Sequence, residues 1–181
     1  MNRPSFEARG FFTVPDGTQL SAFLNATDSS QNDVPNIAGL ANVSIAAGKI
    51  SPKVHSWVHV HPFVTSITYV TAGSLTIRMK EPHIDEYDVA LSVGQAAIIE
   101  PGTLSQLRND GDEEAQVLYI VSPSYVYEAE PRKPPIYDDA IMVAETWQGL
   151  REMNYEVQRG IDYAQLLKKR EESIQRLTER K

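Results

Sequence analysis

Three of the four histidines in this 181-residue chain fall in one run, His55-Ser56-Trp57-Val58-His59-Val60-His61-Pro62. Imidazole nitrogens bind transition metals and move protons near neutral pH. In an extended strand alternate residues share a face, so His55, Trp57, His59 and His61 are expected on one side. Residues i and i+2 lie about 6.5–7 Å apart along the backbone. His59 and His61 can therefore converge on one ion about 2 Å from each. His55 sits about 13 Å further along the strand, out of reach of that ion. The same spacing suits two imidazoles that line a barrel and hydrogen-bond to their neighbours. Spacing alone leaves both readings open.

The elements that must position this pair come in a regular order. Phe11-Phe12-Thr13-Val14, the turn Pro15-Asp16-Gly17 and residues 19–24 read as two short strands around a tight turn. Residues 25–36, rich in Asn, Asp, Ser and Pro, read as a loop. Short strands are then expected at 40–47, 54–61, 66–71, 74–79, 89–93, 95–99, 104–108 and 115–121. Ala72-Gly73, Gly94, Pro101-Gly102 and Asn109-Asp110-Gly111 punctuate them. Many short strands between such turns indicate an all-β sandwich or barrel. The pattern changes after Pro123. A Pro-rich connection covers 126–136. Acidic Asp138-Asp139 before an apolar run predicts a helix over 140–147 with Gly149 near its end. Strong helix formers from Asp162 to Lys181 predict a second helix with a narrow apolar stripe. The expected organisation is a barrel with its N-terminal strands over 1–125, the connection over 126–136 and a helical extension over 137–181.

Composition narrows the function. The chain is 41% hydrophobic and 23% charged, ordinary for a globular protein. Its net charge of −7 argues against a partner that is nucleic acid or an anionic membrane. The charge is uneven: residues 151–181 carry 8 Lys/Arg and 6 Asp/Glu, whereas residues 1–150 carry 9 and 18. With no cysteine, thiolate metal sites and cysteine nucleophiles are excluded. Neither a signal-like apolar N-terminus nor a run of about 20 apolar residues is present, so a soluble cytoplasmic protein is expected.

In this order the residues resemble the cupin superfamily, a small antiparallel jelly-roll β-barrel. Gly48, His59-Val60-His61 and Gly73 follow its first motif, with a longer spacer after Gly48. Gly94, Gly102 and Asn109 fall in frame with its second. The resemblance implies an all-β cupin-type jelly-roll barrel, here followed by the helical extension, and a homodimer by default. Metal-binding cupins use both motif-one histidines, a motif-one Glu and a motif-two His. This chain has Ser66 and Ser105 at the last two positions, Glu100 at the motif-two Pro position and Pro101 one place later. Neutral hydroxyls are poor ligands for a divalent cation. Gln106 and Glu100 are replacement candidates, but alternation turns Gln106 away if Ser105 faces in.

The resemblance thus implies a divalent metal (Fe, Mn, Ni or Zn) held by His59 and His61 in a reduced set. Open positions would suit dioxygenase, isomerase or cyclase chemistry. Without a metal, His59 or His61 is a candidate general base. Ser66, Ser105, Trp57 and Thr68 are the expected pocket-lining residues. Thr68 and Tyr69 alternate, so one of them faces inward. Core packing is the competing reading for Trp57. No nucleophile elbow surrounds either serine. Tyr119, Tyr125 and Tyr127 are expected to pack the C-terminal helix, and His83 to lie at the surface. Three functions follow: a metal-dependent small-molecule enzyme, a metal-free cupin that binds a small ligand without catalysis, and an inert barrel with a structural role.

Overall fold

The computed structural model describes residues 10–25, 37–38, 42–125, 127–128, 136–137, 140–153, 155 and 162–179. The strands are β1 (Phe12–Thr13), β2 (Gln19–Asn25), β3 (Ile37–Ala38), β4 (Ser44–Ile50), β5 (Val58–Val60), β6 (Thr65–Ala72) and β7 (Ser74–Lys80). They continue as β8 (Tyr87–Ser92), β9 (Ala96–Ile99), β10 (Leu104–Arg108), β11 (Ala115–Ser122), β12 (Tyr127–Glu128), β13 (Ile136–Tyr137) and β14 (Ile141–Ala144). The helices are α1 (Trp147–Glu152) and α2 (Tyr163–Glu179). One sheet runs β1-β2-β4-β11-β6-β9, with β3 beside β2; the other runs β14-β5-β10-β7-β8. All pairings are antiparallel except β2–β3.

Alternation explains why the two sheets close on each other. In β4 every second residue from Ser44 to Ile50 is buried, and β11 buries Ala115, Val117, Tyr119 and Val121. Their inward faces meet Leu75, Ile77, Met79 and Leu107 of the second sheet in one core. At the tight β6–β7 connection Gly73 takes φ +70°, and a Cβ there would lie 2.7 Å from the Glu114 carbonyl oxygen, so a glycine is needed. Asn109, 1% exposed, ties three segments together. Its Nδ2 donates to the carbonyls of Ile50 (2.9 Å) and Glu113 (2.7 Å), and its Oδ1 accepts from the Gly111 N–H (3.0 Å).

The stretch 140–147 departs from the expected helix. Ile141–Ala144 is an edge strand paired with β5, and the helix starts only at Trp147, where Thr146 Oγ1 accepts from the Gly149 N–H. A four-residue apolar run suits either state, and the free edge of β5 decided it. Val58, Val60, Leu104, Ala144, Trp147 and Leu150 form a second small core on the outer side of β5. The second helix is found where the helix formers placed it, with Asp162 Oδ1 accepting from the Gln165 N–H at its start. The loop expected over 25–36 and the connection over 126–136 lie almost wholly outside the described residues.

The outer face of the second sheet carries charge. Arg78 binds Asp88 through two hydrogen bonds of 2.7 Å, which holds the Asp88 carboxyl below the usual carboxylate range. Arg108 lies 3.8 Å from Asp88 and 3.4 Å from Asp110. His55 Nε2 is 2.8 Å from Asp110 Oδ1, so His55 belongs to this exposed cluster. His83 is likewise exposed, in the turn after β7. No described helix is long and apolar enough to cross a membrane.

Candidate functional site

β5 is buried on both faces. Val58 and Val60 enter the small outer core, which leaves His59 on the barrel side, opposite Ser105 of β10 and Met142 of β14. His61 follows just past the strand, where its carbonyl accepts from the Gly102 N–H at 2.8 Å. The two imidazoles stand edge to face, with centroids 5.0 Å apart. Both line a cavity that opens to solvent.

His59 Nδ1 lies 2.9 Å from the Trp57 carbonyl oxygen. A carbonyl only accepts, so Nδ1 carries a proton, and in the neutral ring Nε2 holds the lone pair. Ser105 Oγ makes a long 3.5 Å contact with that nitrogen. His61 Nε2 is 3.0 Å from the Tyr125 hydroxyl, and those rings are 5.3 Å apart. The β1–β2 turn reaches over the same cavity through Val14, Pro15, Asp16 and Thr18. Its anchor is a hydrogen bond from the Trp57 N–H to the Asp16 carbonyl, 2.8 Å. Asp16 Oδ1 accepts from the Thr18 N–H (2.9 Å) and hydroxyl (2.8 Å).

Tyr119, on β11, also lines the cavity. Gly48 is what lets its ring lie there: a Cβ on Gly48 would sit 2.3 Å from Tyr119 Cε2. The two residues are diagonal neighbours on adjacent strands, a placement in which an aromatic ring covers a glycine. Burial, and then the Asp16 carboxylate, push the Tyr119 phenol well above its ordinary pKa, while Thr18 works weakly the other way.

Of the residues expected at the site, His59, His61, Ser66 and Thr68 line the cavity. Ser105 is fully buried between His59 and Met79 and reaches the cavity only through His59. Trp57 does not line it: the residue is 39% exposed, and its backbone does the positioning. Strand alternation starts only at Val58, because residues 55–57 pair through a single bridge, His55 with Arg108. Gln106 turns away and donates to the Ser56 carbonyl at 2.9 Å. Glu100 is exposed and accepts from Thr65. Tyr69 faces outward. Tyr119 and Tyr125, expected against the helix, instead line the cavity. Tyr119 was legible from its alternation with Val117 and Val121. Asp16 looked like turn chemistry, and Tyr125, just past Ser-Pro, has no periodic neighbour to reveal it.

The donor set does not fit a divalent metal. No group of three His, Asp or Glu side chains among the described residues is placed to hold an ion. Only two imidazoles are present among the described lining residues, the His61 ring nitrogen is engaged by the Tyr125 hydroxyl, and Ser66 and Ser105 supply only neutral hydroxyls.

A family model for the cupin domain matches residues 43–121. Residues 43–121 form a cupin domain. The matched segment runs from just before β4 to the end of β11 and includes both histidines, Ser66, Ser105 and Tyr119. Protein SchB of Streptomyces halstedii is 28% identical over 89 residues, 49% of this chain and 61% of that protein. The match thus takes in about three-fifths of SchB. Among solved structures, an oxalate oxidase in complex with the substrate analogue glycolate superposes with a TM-score of 0.52 at 18% identity. It covers 81% of this chain and 70% of its own. The capsular polysaccharide assembling protein CapF of Staphylococcus aureus does so at 0.51 and 13%, covering 78% and 32%. At these identities the likeness is one of fold alone, and the cupin chemistry must be argued from the site.

Proposed function

We propose that the cupin domain binds a small molecule in this cavity and catalyses a proton shift beside a carbonyl, without a divalent metal. His59 is the base. The observation that carries this reading is the Nδ1 contact with the Trp57 carbonyl, which puts the proton on Nδ1 and leaves Nε2, beside Ser105 Oγ, as the base of a ring that lines the cavity. In the reaction a substrate C–H proton moves to Nε2. The electron pair left behind becomes the C=C bond of an enol as the carbonyl oxygen takes a proton from Tyr125. The Trp57 carbonyl then stabilises the imidazolium, now protonated at both nitrogens. His61, 3.0 Å from Tyr125, hydrogen-bonds the phenolate as it forms; on reketonisation the enol O–H returns its proton to Tyr125 and the carbon takes a proton back from His59 Nε2.

The test is deuterium wash-in from D₂O into neutral cyclic and aryl ketones, followed by mass spectrometry. Wild type should exchange at least one of them about 10²–10⁴-fold faster than His59→Ala, with no loss on adding a chelator. Equal rates for every ketone would overturn the catalytic reading. That result would leave the second reading, binding without catalysis, standing.

We also propose that the partner is a second copy of this chain, seated on the outer face of the first sheet. Ile45, Ile120, Ile67 and Ile98 lie in register across β4, β11, β6 and β9. Ala47, Leu118, Tyr69 and Ala96 form the next row. Apolar rows on an outer sheet face are usually covered, and a two-fold axis would set this row against itself. Ile98, 58% exposed, can be changed without opening the core. Light scattering after size exclusion should give a dimer for wild type and a monomer for Ile98→Asp. A monomeric wild type would contradict the proposal.

A further inference from the structure

Tyr119 is 8% exposed, yet its hydroxyl has no hydrogen-bond partner among the described residues. A buried hydroxyl left unpaired is costly, and native structures seldom keep one without a use. Gly48 makes room for the ring that carries it, and a side chain of any size at 48 would push that ring away. The Thr18 side chain bears on the phenol but does not reach hydrogen-bond geometry with it, and its own proton goes to Asp16. Around this group the cavity wall is mainly apolar: Leu20, Ile99, Leu107 and Met142. Among the described lining residues there is no Lys or Arg, and the one carboxylate is that of Asp16.

From these observations we infer that Tyr119 is a hydrogen-bond donor for an uncharged oxygen acceptor on the ligand. The same cavity rejects carboxylates and phosphates. The inference rests on the cavity being a small-molecule site but not on the proton shift, so it can fail while that reading stands. A neutral, largely apolar molecule with a ketone or similar oxygen satisfies the phenol and matches the wall. An organic anion would face the Asp16 carboxylate across an apolar wall with no Lys or Arg among the described lining residues to pair with, and desolvating it there would be costly. The phenol remains protonated in this setting because burial and Asp16 both oppose its ionisation, so it acts as a donor.

The experiment is a ¹⁹F NMR titration of the full chain with two matched pairs of probes. These are 4-fluoroacetophenone against 4-fluorobenzoate, and 6-fluoro-2-acetylnaphthalene against 6-fluoro-2-naphthoate. Wild type should bind the ketones, and Tyr119→Phe should weaken that binding about 3–10-fold, the value of one hydrogen bond. Tyr119→Phe should also melt no lower than wild type, because it removes an unpaired group; a hydroxyl with a structural bond would give a lower Tm instead. Wild type should not bind the acids detectably at pH 7. Asp16→Asn, which keeps the acceptor for Thr18 and drops the charge, should gain acid binding. Unchanged ketone affinity in Tyr119→Phe, or acids bound as tightly as ketones by wild type, would overturn the inference. Failure of every probe to bind wild type would overturn the cavity reading on which it stands.

Discussion

Gly48→Ala should destabilise the barrel by about 1–3 kcal/mol, as overpacking a filled core does. The sign is informative because two effects compete. Glycine in a strand interior is itself unfavourable by about 0.5–1 kcal/mol relative to alanine, so an unobstructed Gly48→Ala would stabilise. Here the new Cβ would lie 2.3 Å from Tyr119 Cε2 and 2.8 Å from Val117 Cγ2. Both belong to β11, which is held between β4 and β6, so neither can retreat cheaply. At this chain length the loss corresponds to a Tm lowered by roughly 2–12 °C in calorimetry. In a Tyr119→Leu background the ring is gone, and the penalty for alanine at 48 should shrink by more than half. A Gly48→Ala protein as stable as wild type would mean that the ring does not lie over this glycine, and the cavity wall described above would be wrong.

Asn109→Ala should be at least as damaging, about 2–4 kcal/mol. The side chain makes three hydrogen bonds, two as donor and one as acceptor. Each is worth about 0.5–1.5 kcal/mol, and removal strands the Ile50 carbonyl at the end of β4. Asn109→Asp is the sharper probe. It keeps the acceptor for Gly111 but turns a donor into a carboxylate facing two carbonyl oxygens, so it should be no more stable than alanine at pH 7. The urea midpoint should fall in both variants with an unchanged m-value, because the folded state stays equally compact. A loss below about 1 kcal/mol for Asn109→Ala would show that other bonds hold this corner.

Most of the barrel could be read before any coordinates. Turn residues marked the ends of β6, β8, β9, β10 and β11, and the period-2 pattern put Gln106 on the opposite face from Ser105. Gly48, Gly73 and Asn109 were visible as motif positions, and each now has a physical reason to be there. The misreadings share one cause. Ile141–Ala144 became a strand because β5 offers an unpaired edge, a fact that belongs to the tertiary structure. Trp57 left the shared face because the ladder does not extend back to it. Tyr125 and Asp16 join the site by chain reversal across the barrel mouth, which no local pattern announces. The histidine pair itself was legible. What it lacked was context: the carbonyl that fixes one tautomer and the phenol that engages the other ring are distant in pattern or supplied by backbone.

The central claim is that His59 is a neutral base whose lone pair faces a cavity without a resident metal. Long-range ¹H–¹⁵N NMR of the histidine rings, recorded before and after one equivalent of Zn²⁺, tests it most directly. The expected spectrum shows His59 protonated at Nδ1 with an unprotonated Nε2, and neither His59 nor His61 shifting on Zn²⁺ addition. His59 protonated at Nε2, or both rings shifting together to the metal-bound pattern, would contradict it and restore the two-histidine metal site.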